Sequence, residues 1–347
     1  MMSEGMRREL LEVCREGFPE RRDVAVQALA AIRGGWESDL WAFDLEHGPP
    51  GARERDGLVL RVFPGDAVEV KAETEFDAMR KLHRAGYPVP RVFVLGREGS
   101  RLGRPFIVME RIEGRAMWPV WTEAPAAARP SLLDLFCGLF VCLHRLDWRD
   151  VAGDPGAGGG GDPHAFVDGW IREARNRLAG SPYEGFLPLV EWVAQRRDGL
   201  ACPRPAPVHN DFHPNNLLIR PDGSGVVIDW TGFHVSDPRF DLGWTMSLVS
   251  SYEGPAVRDA FLRGYERHAG APVDSIECFE AIGCGRRLFD IVVSLSEGAE
   301  RMGMRPEAVA AMRQQAGPTG LVYDRLRAIT GLRLAPVERA LQDLAGG

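Results

Sequence analysis

The sequence has no apolar run of 18 residues, no excess of basic charge and no apolar core of a secretory signal near its N-terminus. A membrane-spanning helix needs about 20 consecutive apolar residues, so none is expected, and we expect a cytoplasmic protein. The formal net charge of −7 argues against nucleic acid as the main partner and is compatible with a cationic ligand. No feature of the sequence predicts an oligomeric state.

The six cysteines show no C-x-x-C spacing. They stand singly in apolar or helical contexts, which indicates buried free thiols in a reducing compartment. The composition, with 45% hydrophobic and 26% charged residues, is ordinary for a globular protein. At 347 residues the chain is too long for one small domain and suits two lobes that share a cleft.

The N-terminal third predicts a small antiparallel sheet with one main helix. Apolar positions recur at helical spacing in residues 1–32, which predicts a leading helical segment. Between residues 36 and 63, short β-type runs flank a loop with Gly and Pro, which predicts a hairpin. Residues 67–86 predict an amphipathic helix, and residues 89–96 and 104–114 predict two further strands. The apolar face of that helix is expected to comprise Val70, Phe76, Met79 and Leu82.

After Gly114 the pattern is mostly helical, apart from the stretch VHNDFHPNNLLIRPDGSGVVIDW at residues 208–230. Pro214 prevents a helix there, while NLLI and VVIDW predict two short strands joined by the turn RPDGSG. Such a hairpin brings Asp211, Asn216 and Asp229 together at one end. Carboxylate and carboxamide oxygens are hard ligands that suit Mg²⁺.

Three hypotheses compete for this polar cluster. The alternation of His209, Asp211 and His213 as H-x-D-x-H is compatible with a zinc hydrolase, because His is a common zinc ligand. Asp and Asn also cap turns without any chemical role. The third hypothesis is phosphoryl transfer, in which an Asp orients the acceptor hydroxyl while an Asn and a second Asp hold the metal.

The pattern H-x-D-x-x-x-x-N, followed by IDW, resembles the catalytic and metal-binding segments of the aminoglycoside phosphotransferase family, a branch of the protein-kinase-like superfamily. Asn210 stands where that family commonly has Gly, and an H-N-D triplet also occurs in choline and ethanolamine kinases. Downstream, DPRFDLGW resembles the family's D-P-x-x-D-L segment, whose last Asp, here Asp241, braces the catalytic loop. The resemblance spans roughly residues 30–300.

This resemblance implies an α+β, two-lobed, protein-kinase-like fold. A small N-terminal antiparallel sheet with one main helix would form the nucleotide-binding lobe at residues 1–112. A larger, mostly helical C-terminal lobe would follow at residues 113–347 and contain the catalytic loop at 208–230. Only eleven residues separate Asp229 from Asp241 and no A-P-E motif follows, which argues against a protein substrate.

The resemblance also implies nucleotide-binding residues in the N-terminal lobe. Arg61 takes the place of the phosphate-binding Lys and needs an acidic partner, for which Glu75 is preferred to Glu73. An Arg on an edge strand that reaches solvent is the alternative. The other expected positions are Gly34, Gly35 and Ser38 at the phosphate-covering turn, Met109 behind the adenine, and the backbone of Glu110 and Ile112 beside it.

The implied reaction is transfer of the γ-phosphoryl group of ATP or GTP to a hydroxyl of a small acceptor. Asp211 would orient that hydroxyl, while Asn216 and Asp229 would hold Mg²⁺. His209 and Asp241 would support the loop structurally.

The acceptor is less closely defined. His213 would either pack or contact the substrate. Asp290, Glu297 and Glu300 are candidate partners for an amine-bearing acceptor, or else solvated positions on a helix. A catalytically silent protein that binds nucleotide or another small ligand, or a kinase for choline, homoserine, a sugar or a macrolide, are the alternatives.

Overall fold

The computed structural model describes residues 4–32, 38–64, 68–97, 99–151, 161–302, 308–313 and 316–346. The chain divides into two compact units. The first, here the N-unit, comprises Met1–Ala116 and Leu217–Thr231, and the second, the C-unit, comprises Met117–Asn216 and Gly232–Gly347. The hairpin at 217–231, which the sequence analysis places in the helical lobe, therefore packs within the N-unit.

The N-unit is built on one five-stranded antiparallel sheet. Its strands are β1 (Ala25–Ile32), β2 (Asp39–His47), β3 (Glu54–Val62), β4 (Val92–Gly96) and β5 (Phe106–Glu110). They are ordered β1-β2-β3-β5-β4, and the predicted hairpin is confirmed as β2 and β3, with Phe43 opposite Leu58. These two side chains are buried in one apolar core with Leu10 and Cys14 of helix α1 (Glu4–Gly17).

The second half of the predicted leading helix is wrong, because residues 25–32 form strand β1. The segment AVQALAAI is rich in helix-forming alanine, but its backbone groups pair with β2 from Ala25 to Ile32. Tertiary pairing along a sheet edge therefore overrides the local propensity. An irregularity in this pairing coincides with Ala28, whose φ is +49°.

Helix α2 (Glu69–Arg84) forms where it is predicted, but only Met79 and Leu82 of the predicted apolar face are buried, and Phe76 is half-buried. Val70 is 71% exposed, whereas Ala72, Glu75, Met79 and Leu82 are buried. At 100° per residue, Val70 lies about 200° around the helix from Ala72 and so faces away from the core. The buried stripe thus contains a carboxylate that an apolar pattern does not predict.

The hairpin at 217–231 belongs to a second, three-stranded sheet of the N-unit. Its strands are β6 (Arg115–Ala116), β8 (Leu217–Ile219) and β9 (Gly225–Val227), in that order. The predicted pairing is confirmed, with Leu217 opposite Val227. After β9, Trp230 is fully buried against Tyr87, with 5.7 Å between the ring centroids. This anchor fixes the chain just beyond Asp229.

The C-unit is mostly helical. Its helices are α3 (Met117–Glu123), α4 (Arg129–Arg145), α5 (Trp148–Val151), α6 (Ala165–Leu178), α7 (Leu187–Ala194), α8 (Pro238–Glu253), α9 (Pro255–Ala269), α10 (Ile276–Glu297), α11 (Ala308–Arg313), α12 (Ala316–Thr330) and α13 (Ala335–Gly346). Strands β7 (Ala206–Val208) and β10 (His234–Ser236) pair antiparallel, and the predicted catalytic segment, here residues 209–216, directly follows β7. Among the described residues, no helix is long and apolar enough to cross a membrane.

All six cysteines are free thiols, but not all are buried. Cys142 is exposed and Cys278 is half-buried, so the prediction of buried thiols is wrong for these two. The reason is visible on α4, whose sequence is nearly all apolar. Ser131, Asp134 and Arg145 are exposed at helical spacing from Cys142, and together they form the solvent-facing stripe of this helix.

Candidate active site

In the N-unit, Arg61 on β3 lies between two carboxylates. Its Nη1 donates to Glu75 Oε1 at 2.8 Å and its Nη2 donates to Asp229 Oδ1 at 3.0 Å. The side chain is buried, and a buried cation requires such partners. The predicted pairing with Glu75 is therefore confirmed, while Glu73, the alternative partner, accepts from Arg97 Nε at 2.6 Å.

The charge state of Glu75 is set by competing effects. Burial raises its pKa most, Arg61 lowers it, Asp229 raises it, and the backbone N–H of Trp230 and Lys71 lower it. The net result raises the pKa of Glu75 to about 7. The carboxyl group that holds Arg61 therefore changes protonation near neutral pH.

Asp229 ends the hairpin in a backbone conformation that few residues adopt. Its φ is +68°, in the left-handed region that Asp tolerates better than bulkier residues. Trp230, buried directly after it, and Arg61 on its carboxylate hold this conformation. The side chain remains 39% exposed, which leaves it accessible to a ligand.

In the C-unit, Asp241 ties the start of the catalytic segment to α8. Asp237 caps this helix by accepting the backbone N–H of Arg239 at 2.9 Å, so Asp241 lies in the first turn. Its Oδ2 accepts the backbone N–H of His209 at 2.7 Å and lies 3.4 Å from Nε2 of His144. Burial raises the pKa of Asp241, but His144 and His209 lower it more, and the net pKa is below its ordinary value.

Asp211 carries the carboxylate at the centre of this segment. Its Oδ1 accepts the indole N–H of Trp244 at 2.7 Å, and its backbone oxygen accepts from Asn216 Nδ2 at 3.0 Å. Burial raises its pKa, but His213, Arg286 and His209 lower it, so the net pKa lies well below its ordinary range. The side chain is 40% exposed. Asp211 is thus an oriented, ionised and accessible carboxylate at neutral pH.

His213 contacts this carboxylate as well as the turn that follows. Its Nδ1 accepts the backbone N–H of Asn215 at 3.2 Å, which places the ring proton of the neutral form on Nε2. Nε2 lies 3.5 Å from Asp211 Oδ2. His213 therefore packs against Asp211 and directs its Nε2–H towards the carboxylate.

Asn210 explains how the chain departs from the family pattern. Its φ is +66°, a conformation that favours Gly and that Asn tolerates best among residues with a side chain. Arg286 Nη1 donates to the Asn210 backbone oxygen at 2.7 Å and to its Oδ1 at 2.9 Å. The guanidinium carbon of Arg286 lies 4.2 Å from the ring centroid of Trp244. Neither Arg286 nor Trp244 was predicted as a site residue, although Trp244 ends the motif DPRFDLGW and Arg286 precedes Asp290 by one helical turn.

The other predicted acceptor residues lie on or near α10. Burial raises the pKa of Asp290, whereas Arg286, Arg287 and Arg177 act to lower it. Glu297 accepts from the hydroxyl of Tyr183 at 2.6 Å and pairs with Arg301 at 3.3 Å, so its carboxylate already has two partners. The side chain of Glu300 lies outside the described part of the chain.

The remaining nucleotide-binding predictions concern the backbone and the phosphate-covering turn. Gly34 and Gly35 lie outside the described residues, and Ser38 is buried at the start of β2. Met109 and Glu110 end β5, where the Glu110 N–H donates to Arg91 O at 2.8 Å. No described residue forms a hydrogen bond with the backbone of Ile112, so its N–H is available to a ligand.

The side chains around the predicted catalytic segment differ in how well they suit Zn²⁺ and Mg²⁺. His209 is buried, and its Nδ1 accepts the backbone N–H of Asp211 at 3.2 Å. The described residues contain no group of three or more His, Cys, Asp or Glu side chains that could hold a metal, so the zinc hypothesis for His209, Asp211 and His213 is wrong. Asn216 in the C-unit and Asp229 in the N-unit each offer a hard oxygen, the type of donor that Mg²⁺ prefers. Within the described residues, nothing donates to the carboxamide oxygen of Asn216.

These features agree with the comparison to known proteins. The profile of the phosphotransferase enzyme family, APH, matches residues 28–274. The chain belongs to this family. Aminoglycoside 3'-phosphotransferase of Streptomyces fradiae is 28% identical over 258 residues, which cover 67% of this chain and 86% of that protein.

Acyl-CoA dehydrogenase family member 10 of Mus musculus is 25% identical over 288 residues, covering 75% of this chain but 26% of that protein. The chain thus spans about a quarter of the length of the acyl-CoA dehydrogenase relatives that it matches. A thermostable mutant of aminoglycoside phosphotransferase APH(4)-Ia, solved in a ternary complex with ADP and hygromycin B, has a TM-score of 0.58 and 18% identity, covering 91% of this chain and 98% of that one. The predicted α+β, kinase-like fold is confirmed.

Proposed function

We propose that this member of the phosphotransferase family is an active small-molecule kinase. It transfers the γ-phosphoryl group of ATP or GTP to a hydroxyl group of the acceptor. The observation that carries the proposal is the state of Asp211, an ionised and accessible carboxylate held by Trp244 and Asn216. The ADP and aminoglycoside bound to APH(4)-Ia, a structure of similar fold, further support it.

Asp211 orients the acceptor hydroxyl and takes its proton as the phosphoryl group is transferred. Because the transition state of phosphoryl transfer is loose, positioning matters more than basicity, which suits a carboxylate with a lowered pKa. Asp241 keeps the segment in place through the His209 backbone, so it acts as a positioning residue. His213 steadies the Asp211 carboxylate from its other oxygen.

In the N-unit, Arg61 binds the α- and β-phosphates, since Glu75 and Asp229 fix its guanidinium. Ser38 would lie near the phosphates and Met109 behind the adenine; Gly34 and Gly35, predicted for the same phosphate site, lie outside the described residues. The carbonyl of Glu110 and the free N–H of Ile112 pair with the base, and backbone groups of this kind accept either ATP or GTP.

Asn216 and Asp229 are the residues that would hold Mg²⁺. An ion held there would supply positive charge that offsets the negative charge developing on the phosphate groups. The oxygen donors of these two side chains fit that role, as described above.

The test is nucleotide turnover by the purified protein and by Asp211→Asn. With Mg²⁺ and a panel of hydroxylated acceptors, we expect acceptor-dependent release of ADP or GDP. In Asp211→Asn, kcat should fall by about 10²- to 10⁴-fold, the usual contribution of a general base, while the KM for nucleotide stays the same. Asp222→Asn is the matched control, because Asp222 is exposed in the turn of the hairpin and should leave turnover unchanged.

Two results would contradict this proposal in different ways. Nucleotide binding without turnover on any acceptor would identify a silent nucleotide-binding protein. Failure to bind nucleotide would exclude a kinase of either kind.

A further inference from the structure

Arg286 presents a fixed guanidinium beside the catalytic segment. The residue is exposed on α10, yet its Nη1 is held by two oxygens of Asn210 and its plane by the ring of Trp244. Among the described residues, no partner is hydrogen-bonded to its Nη2 or Nε. Two donors of a pre-oriented fork therefore remain for a ligand, and a planar fork is the geometry that binds carboxylate or phosphate groups.

Arg286 is also rigid in a way that surface arginines are not. A free arginine loses considerable rotamer entropy when it binds a ligand, whereas the contacts with Asn210 and Trp244 have already ordered this one. Trp244 also donates to Asp211, so one indole ring links the guanidinium to the catalytic carboxylate. A group bound by Arg286 is thereby placed at a fixed distance from Asp211.

The surroundings of Arg286 are basic, although the whole chain has a formal net charge of −7. Asp290, on the same helix as Arg286, interacts electrostatically with Arg286, Arg287 and Arg177. Three guanidinium groups thus act on Asp290, while Arg286 and His213 act on Asp211. A polycationic acceptor meets repulsion here, while an anionic group is attracted.

One of the acidic residues that favour an amine-bearing acceptor is engaged elsewhere, because the carboxylate of Glu297 is shared between Tyr183 and Arg301. Asp290 interacts electrostatically with the three arginines, which offset its negative charge. This environment is less favourable to an ammonium group than an isolated carboxylate would be.

We propose that the acceptor carries an anionic group, a carboxylate or a phosphate, which binds Arg286 while its hydroxyl faces Asp211. This inference rests on the proposed kinase function and narrows its substrate class. Arg286 is a specificity-determining residue, and Arg287 and Arg177 add long-range attraction. The same chemistry covers hydroxycarboxylates and phosphorylated alcohols, which the test separates.

The test uses probes that differ mainly in charge. Glycerate and glycerol 3-phosphate are compared with neutral glycerol and cationic choline, first by calorimetric binding to the protein loaded with a non-hydrolysable nucleotide and then as acceptors in ADP release. We expect at least one anionic probe to bind at least tenfold more tightly than glycerol. The preference between the two anions shows whether carboxylate or phosphate is the recognised group.

Arg286→Gln should raise the Kd or KM for that anionic probe by about tenfold or more. The affinity for nucleotide should stay unchanged. The matched control is Asn210→Gly, which keeps Arg286 and the positive φ but removes the side-chain contact. If Arg286 acted only by supporting the loop, both variants would lower kcat for every acceptor and neither would change the ranking of acceptors by charge.

Tighter binding of choline or glycerol than of both anions would overturn the inference even if the protein is a kinase. An equal effect of Arg286→Gln on charged and neutral probes would overturn it too. Failure of the kinase proposal gives a different result, since no acceptor would then be phosphorylated while the binding measurement would still report on Arg286.

Discussion

At the residue scale, the pKa of Glu75 links the stability of the protein to pH. The folded protein keeps the proton of this carboxyl up to about pH 7, whereas its ordinary pKa is 4.5. Between these values the folded state binds more protons than the unfolded chain. The stabilising contribution of Glu75 is therefore fully present below about pH 4.5 and is lost as the pH rises towards 7.

Glu75→Gln removes this titration, so the variant should gain in free energy of unfolding relative to wild type as the pH rises through that window. The gain is on the order of a few kcal/mol, at about 1.4 kcal/mol for each unit of pKa. Urea unfolding of both proteins between pH 5 and 8 measures the difference. Glu73→Gln, two residues away and exposed in its pair with Arg97, should parallel wild type throughout. A difference between Glu75→Gln and wild type that does not vary with pH would contradict the prediction.

Several single residues of the site could be predicted from the sequence, and others could not. The family resemblance predicted Arg61, and Glu75 followed because a cation inside an apolar strand requires a nearby acid. The positive φ of Asn210 and Asp229 leaves no pattern in a sequence, because Asn and Asp occur in many conformations. Arg286 meets Asn210 across 76 residues of chain, and no local spacing indicates such a contact.

At the scale of elements, the pairing of α8 with α10 determines where Asp241 and Trp244 lie. A Cβ atom added to Gly243 on α8 would lie 2.3 Å from the backbone oxygen of Phe279, and one added to Gly283 on α10 would lie 2.7 Å from the oxygen of Gly243. The obstructing atoms belong to backbone, so they cannot move aside as a flexible side chain does. Both residues that hold the catalytic segment flank this contact, Asp241 two positions before and Trp244 one position after Gly243.

Gly243→Ala should therefore destabilise the protein by about 1–3 kcal/mol, as overpacking does. It should also lower kcat, by up to about 10²-fold, because a displacement of α8 by about 1 Å misplaces Asp211. Thermal unfolding and ADP release measure the two effects. Gly320→Ala on α12 is the same substitution with nothing within 4 Å of the added atom, so it should be neutral or stabilising by up to about 1 kcal/mol. If Gly243→Ala and Gly320→Ala change stability and kcat equally, the close contact between α8 and α10 is not required for either property.

Elements whose local sequence propensity agrees with their tertiary pairing were predicted. The β2–β3 hairpin and the hairpin at 217–227 are examples. Strand β1 was not, because the helix propensity of AVQALAAI opposes a pairing that only β2 provides. The assignment of the second hairpin to the N-unit was also missed. Strand β8 pairs with β6, which lies about a hundred residues earlier in the chain, and sequence order alone places the hairpin with the helices.

At the scale of the whole molecule, the stability of the C-unit depends on a buried carboxylate that joins three helices. Glu280 on α10 is 0% exposed and accepts from Arg258 on α9 and from Arg325 on α12. The Nη2 of Arg325 lies 2.7 Å from Glu280 Oε2, and the Nη2 of Arg258 contacts the same oxygen. Arg258 also donates from its Nη1 to Asp259 Oδ1 at 2.9 Å, so Glu280 is the buried anion that both guanidinium groups share.

Glu280→Gln replaces this anion by a neutral amide of the same shape and leaves two cations without their common partner. Removing one member of a buried ionic group costs about 3–5 kcal/mol. We expect the lower end of this range, because Arg258 keeps its contact with Asp259 and Arg325 is 28% exposed. Glu191→Gln is the matched control: Glu191 also accepts two hydrogen bonds from one arginine, Arg175, but both side chains are about half exposed. Exposed pairs contribute about 1 kcal/mol or less, so this control should shift the melting temperature only slightly. If the two variants unfold at the same temperature, the network around Glu280 does not bind α9, α10 and α12 together, and packing of their apolar faces alone stabilises the C-unit.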